Sequence, residues 1–204
     1  MSPTQITARP CSAWPKDALR IGFGLIWLVD AALKWLPGFR ASYMDTIMGE
    51  ASGQPGWLKP WFHFWITVQH PDAAAFGWLV AVAETLIAVA LIAGFARKLT
   101  YLSAAIFSVL IWATAEGFGG PYTSGASDIG TAIIYAVVFA GLLALSYYSG
   151  PSRYTADYYL EQKYSWWWKL AELRRPAPAQ VQADAATPDA ATQAGQPSSH
   201  QISA

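Results

Sequence analysis

The chain has little charge, a single cysteine and few histidines. Charged residues make up 13% of its 204 residues, whereas soluble domains carry about 25%. A formal net charge of zero argues against a nucleic-acid partner. Cys11 alone can form neither an internal disulfide nor a two-cysteine redox motif, and we interpret it as an inert residue of a polar leader. These absences indicate a membrane protein rather than a soluble domain.

Histidine is absent from the long apolar runs, which excludes a haem held between two membrane histidines. His63 and His70 share one face of a predicted helix but lie about 10 Å apart, at 1.5 Å per residue. We therefore interpret them as interfacial polar residues and expect no metal site. The chain also lacks a phosphate-binding glycine loop, a nucleophile elbow and zinc-ligand spacing. It shows no redox centre of its own.

Long apolar runs dominate what remains, since 54% of the residues are hydrophobic. Four runs reach the roughly 17–25 residues that cross a bilayer. They cover about 18–36, 74–95, 99–115 and 129–149. Each is expected to be helical, because only a helix satisfies its own backbone hydrogen bonds in lipid. The sequence thus predicts an all-α fold, a polytopic membrane four-helix bundle.

The first outer loop, residues 37–72, is too long for a simple turn. We predict an amphipathic helix within it, from Lys59 to His70, because Pro60 suits a first helical turn. The spacing places Trp61, Phe64, Trp65 and Val68 on one face, and Lys59, His63, Thr67 and His70 on the other. Such a helix is expected to lie at the outer membrane interface.

Composition divides the chain into four segments. Residues 1–16 form a polar leader, and residues 17–150 form the four-span membrane domain. Residues 151–175 are basic and aromatic, which is typical of an interfacial segment. Residues 176–204 consist mainly of Ala, Pro, Gln and Ser, and we predict disorder because they cannot bury enough apolar surface.

The distribution of lysine and arginine predicts the orientation. Positive residues occur in the leader, at Arg97 and Lys98 between spans two and three, and after span four. The loop between spans three and four has none. Because cytoplasmic loops carry the excess of positive residues, both termini should be cytoplasmic. The first loop and the glycine-rich loop should face outward.

Ionisable residues interrupt the apolar runs, and Glu84 lies deepest. A carboxylate at the centre of a span costs about 3 kcal/mol on insertion scales, and such residues are functional candidates. Asp30 falls at a similar depth in span one, with Lys34 one turn further out at i+4, where the two can meet. Small residues on the face of Glu84 let a neighbouring helix approach closely: Gly77, Ala81 and Ala88. Glu84 is therefore expected to point into the bundle.

These charges have two interpretations. In the structural one, Asp30 and Lys34 form an intrahelical ion pair that lets charge survive in lipid, and Glu84 is a protonated acid that donates one hydrogen bond. In the catalytic one, Asp30 and Glu84 exchange protons, and Lys34 tunes their proton affinity. The sequence leaves both open.

Polar and aromatic residues also gather at the outer ends of the spans. Glu116 follows span three, and Gly117–Gly120 is predicted to be a flexible turn. Asp128 suits the N-terminus of span four, where we interpret it first as a cap. The resulting pocket is predicted to contain Trp27, Trp112, Glu116, Asp128, Thr131 and Tyr135, with Asp30 and Glu84 at its floor.

Three motifs carry a family resemblance: Arg20–Lys34, Ala83-Glu84-Thr85 followed by Leu91–Arg97, and Trp112–Gly120 leading to Asp128-Ile-Gly-Thr131. Together they resemble the DoxX superfamily, and most closely its DoxX/DoxD-like branch, over roughly residues 17–148. The resemblance implies an integral four-helix protein of the cell inner (plasma) membrane that is often linked to redox chemistry. DoxD is a membrane subunit of a thiosulfate:quinone oxidoreductase, and other members help redox enzymes to mature. The family has no agreed catalytic residues.

The leading hypothesis is a membrane subunit of a quinone-linked oxidoreductase system for sulfur compounds or thiols. A quinone would enter the pocket near Trp27, Trp112 and Tyr135, and Asp30 and Glu84 would exchange its protons. No covalently bound cofactor is expected. Because the chain shows no redox centre, a redox protein partner must bring the electrons. The lipid bilayer is the other expected partner, and a homo-oligomer is left open.

Two other functions stay in view. The first is a non-enzymatic assembly or scaffold factor that docks a redox protein on the helix around residues 57–70. The second is a small-solute transporter, which is less favoured because no span is broken by proline and no inverted repeat is evident. Whether the chain is an enzyme is left open by the sequence.

Overall fold

The computed structural model describes residues 14–120, 122, 128–149 and 152–174, and this part of the chain is all-helical. Its α-helices in chain order are α1 (Trp14–Lys34), α2 (Pro37–Ser52), α3 (Lys59–Gln69), α4 (Ala73–Ala93), α5 (Arg97–Ala113), α6 (Thr131–Ser149), α7 (Ala156–Lys163) and α8 (Trp168–Ala171). Short 3-10 turns precede α4, at His70–Asp72, and follow α5, at Gly117–Gly119. The predicted disordered tail and most of the predicted leader lie outside the described residues.

The four apolar runs correspond to α1, α4, α5 and α6, with ends shifted by a few residues. Two helical stretches, Lys59–Ala93 and Thr131–Tyr148, are long and apolar enough to cross a membrane. The first combines α3 and α4, and the second is most of α6. Of the other two long helices, α1 carries five charged residues and α5 has only 17 residues. The two apolar stretches indicate that the chain associates with a membrane.

The outer faces of the four long helices are apolar, and charge lies inside. Val29 of α1 is 65% exposed, Leu86 of α4 65%, Ile106 of α5 55% and Val137 of α6 66%. Glu84, in contrast, is 1% exposed. Water-soluble proteins bury large apolar side chains and expose their carboxylates, so this distribution agrees with a protein that associates with a membrane.

Close packing of α1 against α4 sets the shape of the bundle. A Cβ atom on Gly24 would lie 2.9 Å from Ile92 Cγ1, so only glycine permits the two helices to approach this closely at that point. The buried face of α4 consists of Gly77, Ala81, Glu84, Ala88 and Leu91. The predicted stripe of small residues around Glu84 is therefore confirmed as a packing face.

Aromatic rings fill the middle of the bundle between α1 and α6. The Trp27 ring lies 5.2 Å from the Phe139 ring and 5.7 Å from the Tyr135 ring, and Phe23 lies 5.0 Å from Phe139. Edge-on contacts of this kind add to the free energy gained from burying the rings. With Leu142, which is fully buried, they form an apolar layer across the bundle.

The bundle has two chemically different ends on either side of this layer. The cavity end contains the C-termini of α1 and α5, the N-termini of α4 and α6, and helices α2 and α3. The ion-pair end contains the N-termini of α1 and α5, the turn between α4 and α5, and helices α7 and α8. Both ends contain charges that are buried or half-buried.

Helix α2 lies in the region predicted to be a loop, so the sequence missed it. It begins at Pro37, a residue that suits a first helical turn. Arg40 holds it to the bundle, because its guanidinium lies 4.2 Å from the Trp78 ring centre and donates a 2.8 Å hydrogen bond to Trp35 O. The only buried residues of α2 are Met44 and one other apolar side chain. Two buried positions are too few to give an apolar periodicity from which the helix could be predicted.

The predicted helix in the first loop is present as α3 (Lys59–Gln69), and Phe64 and Val68 of its predicted apolar face are exposed. Phe62 is 1% exposed, whereas Phe64 is 55% exposed and Val68 44%. Trp61 Nε1 donates a 2.7 Å hydrogen bond to Ala113 O at the end of α5. The helix also packs on α2 and on the end of α5, and these neighbours bury Phe62, which the periodicity of the sequence alone did not indicate.

Asp157 and Arg97 organise the ion-pair end. Asp157 is fully buried, and Oδ2 accepts hydrogen bonds from Arg97 N at 2.9 Å and from Arg97 Nε at 3.0 Å. Asp157 Oδ1 accepts from Ala96 N at 2.6 Å, so this carboxylate closes the N-terminus of α5. Glu172 forms a second ion pair with Arg97. The segment predicted to be interfacial, residues 151–175, therefore packs into the bundle through two buried acids.

Arg20 is the second buried cation at this end. It donates to Leu91 O, to Ile92 O at 2.8 Å and to Tyr154 O at 3.0 Å. It also lies 3.5 Å from Asp17, which accepts a hydrogen bond from Ser152. One guanidinium thus satisfies carbonyl groups at the end of α4 and holds the chain that follows α6.

Replacing Arg97 with Ala is expected to lower the free energy of unfolding by about 3–5 kcal/mol, because two buried carboxylates lose their cation. Denaturant unfolding in detergent micelles measures this loss. The matched control is Lys98→Ala, since Lys98 donates only to Lys169 O at an exposed site; it should cost about 1 kcal/mol or less. Equal losses in the two variants would contradict the importance of the buried pairs.

Glu161 of α7 should give the ion-pair end a pH dependence. Burial, together with the nearby Glu172, raises the pKa of Glu161 to about 7 from its ordinary value of 4.5. Because the folded-state pKa is the higher one, the contribution of Glu161 to stability is complete below pH 4.5 and is lost as the pH rises through about 7. The free energy of unfolding should fall across this window, and less steeply in Glu161→Gln. The control is Asp45→Asn, at an exposed site, in which the free energy of unfolding should change with pH as in the wild type. If Glu161→Gln also showed the wild-type pH dependence, Glu161 would not be its cause.

Candidate functional site

A cavity of about 760 Å³ lies at the cavity end of the bundle. Its walls come from the four long helices, from α2 and α3, and from the residues that follow α5. This volume falls within the roughly 300–1,000 Å³ of small-molecule sites. Most of the lining is apolar and aromatic, with a few polar groups among it.

Two carboxylates share one ammonium at the wall of the cavity. Lys34 Nζ lies 3.1 Å from Asp30 Oδ1 and 3.8 Å from Glu84 Oε2. The predicted i+4 contact between Asp30 and Lys34 and the inward direction of Glu84 are confirmed. Lys34 joins α1 to α4, and it partly offsets the cost of burying Glu84 away from water.

The side chains of this cluster differ in their access to solvent. The side chain of Asp30 is 36% exposed, that of Lys34 21% and that of Glu84 1%. The three charged side chains therefore form a series from the half-exposed Asp30, through the partly exposed Lys34, to the fully buried Glu84. Lys34 therefore connects the two acids through contacts of 3.1 Å and 3.8 Å.

Several buried polar atoms around the cavity have no hydrogen-bond partner among the described residues. They are Trp27 Nε1, Trp65 Nε1 and Glu84 Oε2. All three side chains line the cavity. Buried indole N–H groups usually have an acceptor, so unsatisfied donors beside a cavity indicate that water or a ligand supplies the missing acceptors.

Glu116 lies between the cavity and the N-terminus of α6. Its Oε2 accepts a 2.9 Å hydrogen bond from Ala132 N, so Glu116 performs the capping role predicted for Asp128. Burial raises the pKa of Glu116, and backbone donors at Ala132 and Thr131 oppose this shift. Asp128 is exposed and accepts from Gly130 N at 2.8 Å, just before the helix.

The structure brings together seven of the predicted site residues around the cavity: Trp27, Asp30, Lys34, Glu84, Glu116, Thr131 and Tyr135. It leaves two others out. Trp112 Nε1 donates a 2.7 Å hydrogen bond to Ile129 O, and its ring packs 5.1 Å from that of Phe118. Trp112 and Asp128 thus hold the connection between α5 and α6, and neither lines the cavity.

The cavity has further polar residues on α2 and α3 that the sequence did not identify. Tyr43 donates a hydrogen bond to Gln69 Oε1, and both side chains line the cavity with Trp65. Burial raises the pKa of Tyr43 to about 12, which keeps the hydroxyl protonated as a donor. The one signal available was Gln69, a polar residue at the end of an otherwise aromatic helix.

The turn at Gly117 is packed rather than flexible. Gly117 has a φ of +55°, and a Cβ atom there would lie 2.5 Å from Glu50 Oε2. Gln54 Nε2 donates a 3.0 Å hydrogen bond to Gly117 O. Glycine is required by both conformation and space, and the turn fixes α2 against the end of α5.

Lys34 and Glu84 should be energetically coupled. Lys34→Met is expected to destabilise the wild-type protein more than the Glu84→Gln variant, because only the former retains a buried carboxylate that needs a cation. A double-mutant cycle tests this, with the free energy of unfolding measured for the wild type, the two single variants and the double variant. The cost of Lys34→Met should differ between the wild type and Glu84→Gln by about 0.5–3 kcal/mol. Lys59→Met, at an exposed site, should show no coupling to Glu84→Gln. A coupling free energy of zero between Lys34 and Glu84 would contradict their contact.

Comparison of the chain with protein-family models, with curated proteins and with solved structures finds no match. The resemblance of its motifs to the DoxX superfamily therefore stays a prediction. A fold on its own does not assign a function, so the function has to be argued from the cavity and the side chains around it.

Proposed function

We propose that the chain is a multi-pass membrane protein that binds a quinone, as the membrane subunit of a redox system for thiols or reduced sulfur compounds. The observation that carries the proposal is the cavity of about 760 Å³, in which a buried carboxylate, a lysine and unsatisfied indole donors meet an aromatic wall. The motifs that resemble DoxX and DoxD-like proteins support the same assignment.

Four membrane spans are part of this proposal. Support comes from the apolar outer faces of α1, α4, α5 and α6, each of which exposes large aliphatic side chains. The ion-pair end carries solvent-accessible cations at the start of α5, on α7 and α8, and after α8: Lys98, Lys163, Lys169 and Arg174. By the positive-inside rule, we place this end and both termini in the cytoplasm, and the cavity on the outer side of the inner (plasma) membrane.

The residues around the cavity fit a quinone by their chemistry. A quinone has a flat ring and carbonyl oxygens that only accept hydrogen bonds. Trp27 and Trp65 supply N–H donors that find no acceptor among the described residues, and Tyr135 adds aromatic surface beside Trp27. The lysine and the aromatic side chains therefore fit a ligand that has an apolar ring and polar atoms that only accept hydrogen bonds.

A bound quinone would supply two-electron redox chemistry and would take up two protons at its carbonyl oxygens. Trp27 would donate a hydrogen bond to one of these oxygens. Glu84 would give up a proton, and Lys34 would stabilise the carboxylate that remains. Asp30 would take a new proton from solvent and return it to Glu84 through the cluster. Burial of Glu84 and the 3.1 Å and 3.8 Å contacts of Lys34 support the roles proposed for Glu84, Lys34 and Asp30.

The electrons come from a redox protein partner in this proposal. Oxidation of two thiols to a disulfide releases two electrons and two protons, which balances the conversion of one quinone to one quinol. The chain needs no redox centre for this, because the partner brings the electrons to the cavity end. No group of three or more potential metal-ligating side chains occurs among the described residues.

The scaffold alternative receives less support from the position of α3. It places the docking surface on the helix around residues 57–70, where loss of Trp61 and Trp65 would be expected to release the partner. Trp61 donates to Ala113 O, and Trp65 lines the cavity, so both are engaged with the protein itself. We therefore retain the quinone-linked function as the single proposal.

A quinone titration tests it. Purified protein in nanodiscs should bind ubiquinone and menaquinone analogues saturably, as measured by isothermal calorimetry. Trp27→Phe should weaken binding about five- to tenfold, which corresponds to one lost hydrogen bond of about 1 kcal/mol. The control is Trp57→Phe, because Trp57 is 79% exposed and does not line the cavity. Absence of saturable binding to the wild type would refute the proposed function.

A further inference from the structure

We propose that Glu84 exchanges protons with one end of the bundle only, the cavity end, through Lys34 and Asp30. The biological meaning of this inference rests on the proposed quinone chemistry, but its physical basis is independent of it. Glu84 has a polar connection toward one end and an apolar barrier toward the other.

The polar connection follows the exposure of the three side chains. Glu84 is buried, Lys34 lies 3.8 Å from it, and Asp30 lies 3.1 Å beyond with 36% of its side chain exposed. All three line the same cavity. Protons can therefore travel between Asp30 and Glu84 along the lysine and any water in the cavity.

Besides Glu84, Lys34 and Asp30, three more titratable side chains of the described residues line the cavity, and all three belong to the cavity end. α2 contributes Tyr43, the segment after α5 contributes Glu116, and α6 contributes Tyr135. Arg40 of α2 packs over Gly77, two turns from Glu84 toward the same end. None of these groups leads toward the ion-pair end, so each of them extends the connection in one direction.

The barrier lies on the other side of Glu84. Ala88, Leu91, Phe139 and Leu142 are all fully buried, and they belong to one apolar cluster. Leu91 is seven residues from Glu84 on α4, a distance of about 10 Å along the helix. Its carbonyl already accepts from Arg20 of the ion-pair end. No ionisable side chain lies on the buried face of α4 between Glu84 and that carbonyl.

Tyr101 is the one hydroxyl-bearing residue among the described buried members of this cluster. It lies one turn after Arg97 on α5, and its side chain interacts with Ser146 and with the charges of Arg97 and Arg20. Tyr101 therefore belongs with the ion-pair end, and the apolar side chains of the cluster form the barrier toward Glu84.

The experiment measures the protonation of Glu84 without any quinone. The protein is reconstituted in liposomes in one orientation, and infrared difference spectra are recorded while the pH is changed on one side with impermeant buffers. The carboxylic acid carbonyl band that disappears in Glu84→Gln reports on Glu84. If that variant does not fold, Glu84→Asp identifies the same band by shifting it.

The band should respond when the pH changes at the cavity end and stay constant when it changes at the ion-pair end. Asp30→Asn should slow the response at least several-fold, whereas Asp72→Asn, at an exposed site outside the cavity, should leave it unchanged. A response to the ion-pair end, an equal response to both ends, or no Glu84 band at any pH would overturn the proposal. A failed quinone titration would refute the proposed function and leave this result intact.

Discussion

Charge that leaves water must find a partner, and this requirement decides which parts of the chain meet. Lys34 satisfies it for Glu84 and thereby joins α1 to α4 at one end of the bundle. Arg97 satisfies it with Asp157 and Glu172 and thereby joins the turn between α4 and α5 to the last described segment. The apolar layer lies between these two sets of pairs and separates two polar ends.

The sequence predicts the parts of this arrangement that depend on near neighbours along the chain. Apolar length located the four long helices, i+4 spacing located the contact of Lys34 with Asp30, and small residues located the packing face around Glu84. It fails where the partner is remote or the pattern is weak. Arg97 and Glu172 are 75 residues apart, and no local rule pairs them. Helix α2 buries too few apolar residues to show a period.

If Glu84 exchanges protons with the cavity end only, the proposed function has a consequence for charge movement across the membrane. A thiol pair oxidised at the cavity end releases two protons there, and the cluster of Glu84, Lys34 and Asp30 takes up two protons from the same compartment. No charge then crosses the membrane during turnover. The reaction would be driven by the difference in redox potential alone, and the membrane voltage would neither assist nor oppose it.

The distance in sequence between Arg97 and its partners has a consequence for biosynthesis. Asp157 follows Arg97 by 60 residues and Glu172 by 75, so at ~5–20 residues per second a ribosome delivers them about 3–15 s later. Until then Arg97 has neither acid, although α5 has already been made. A nascent chain interrupted before residue 152 would contain all four long helices and still expose an arginine without its counter-charges.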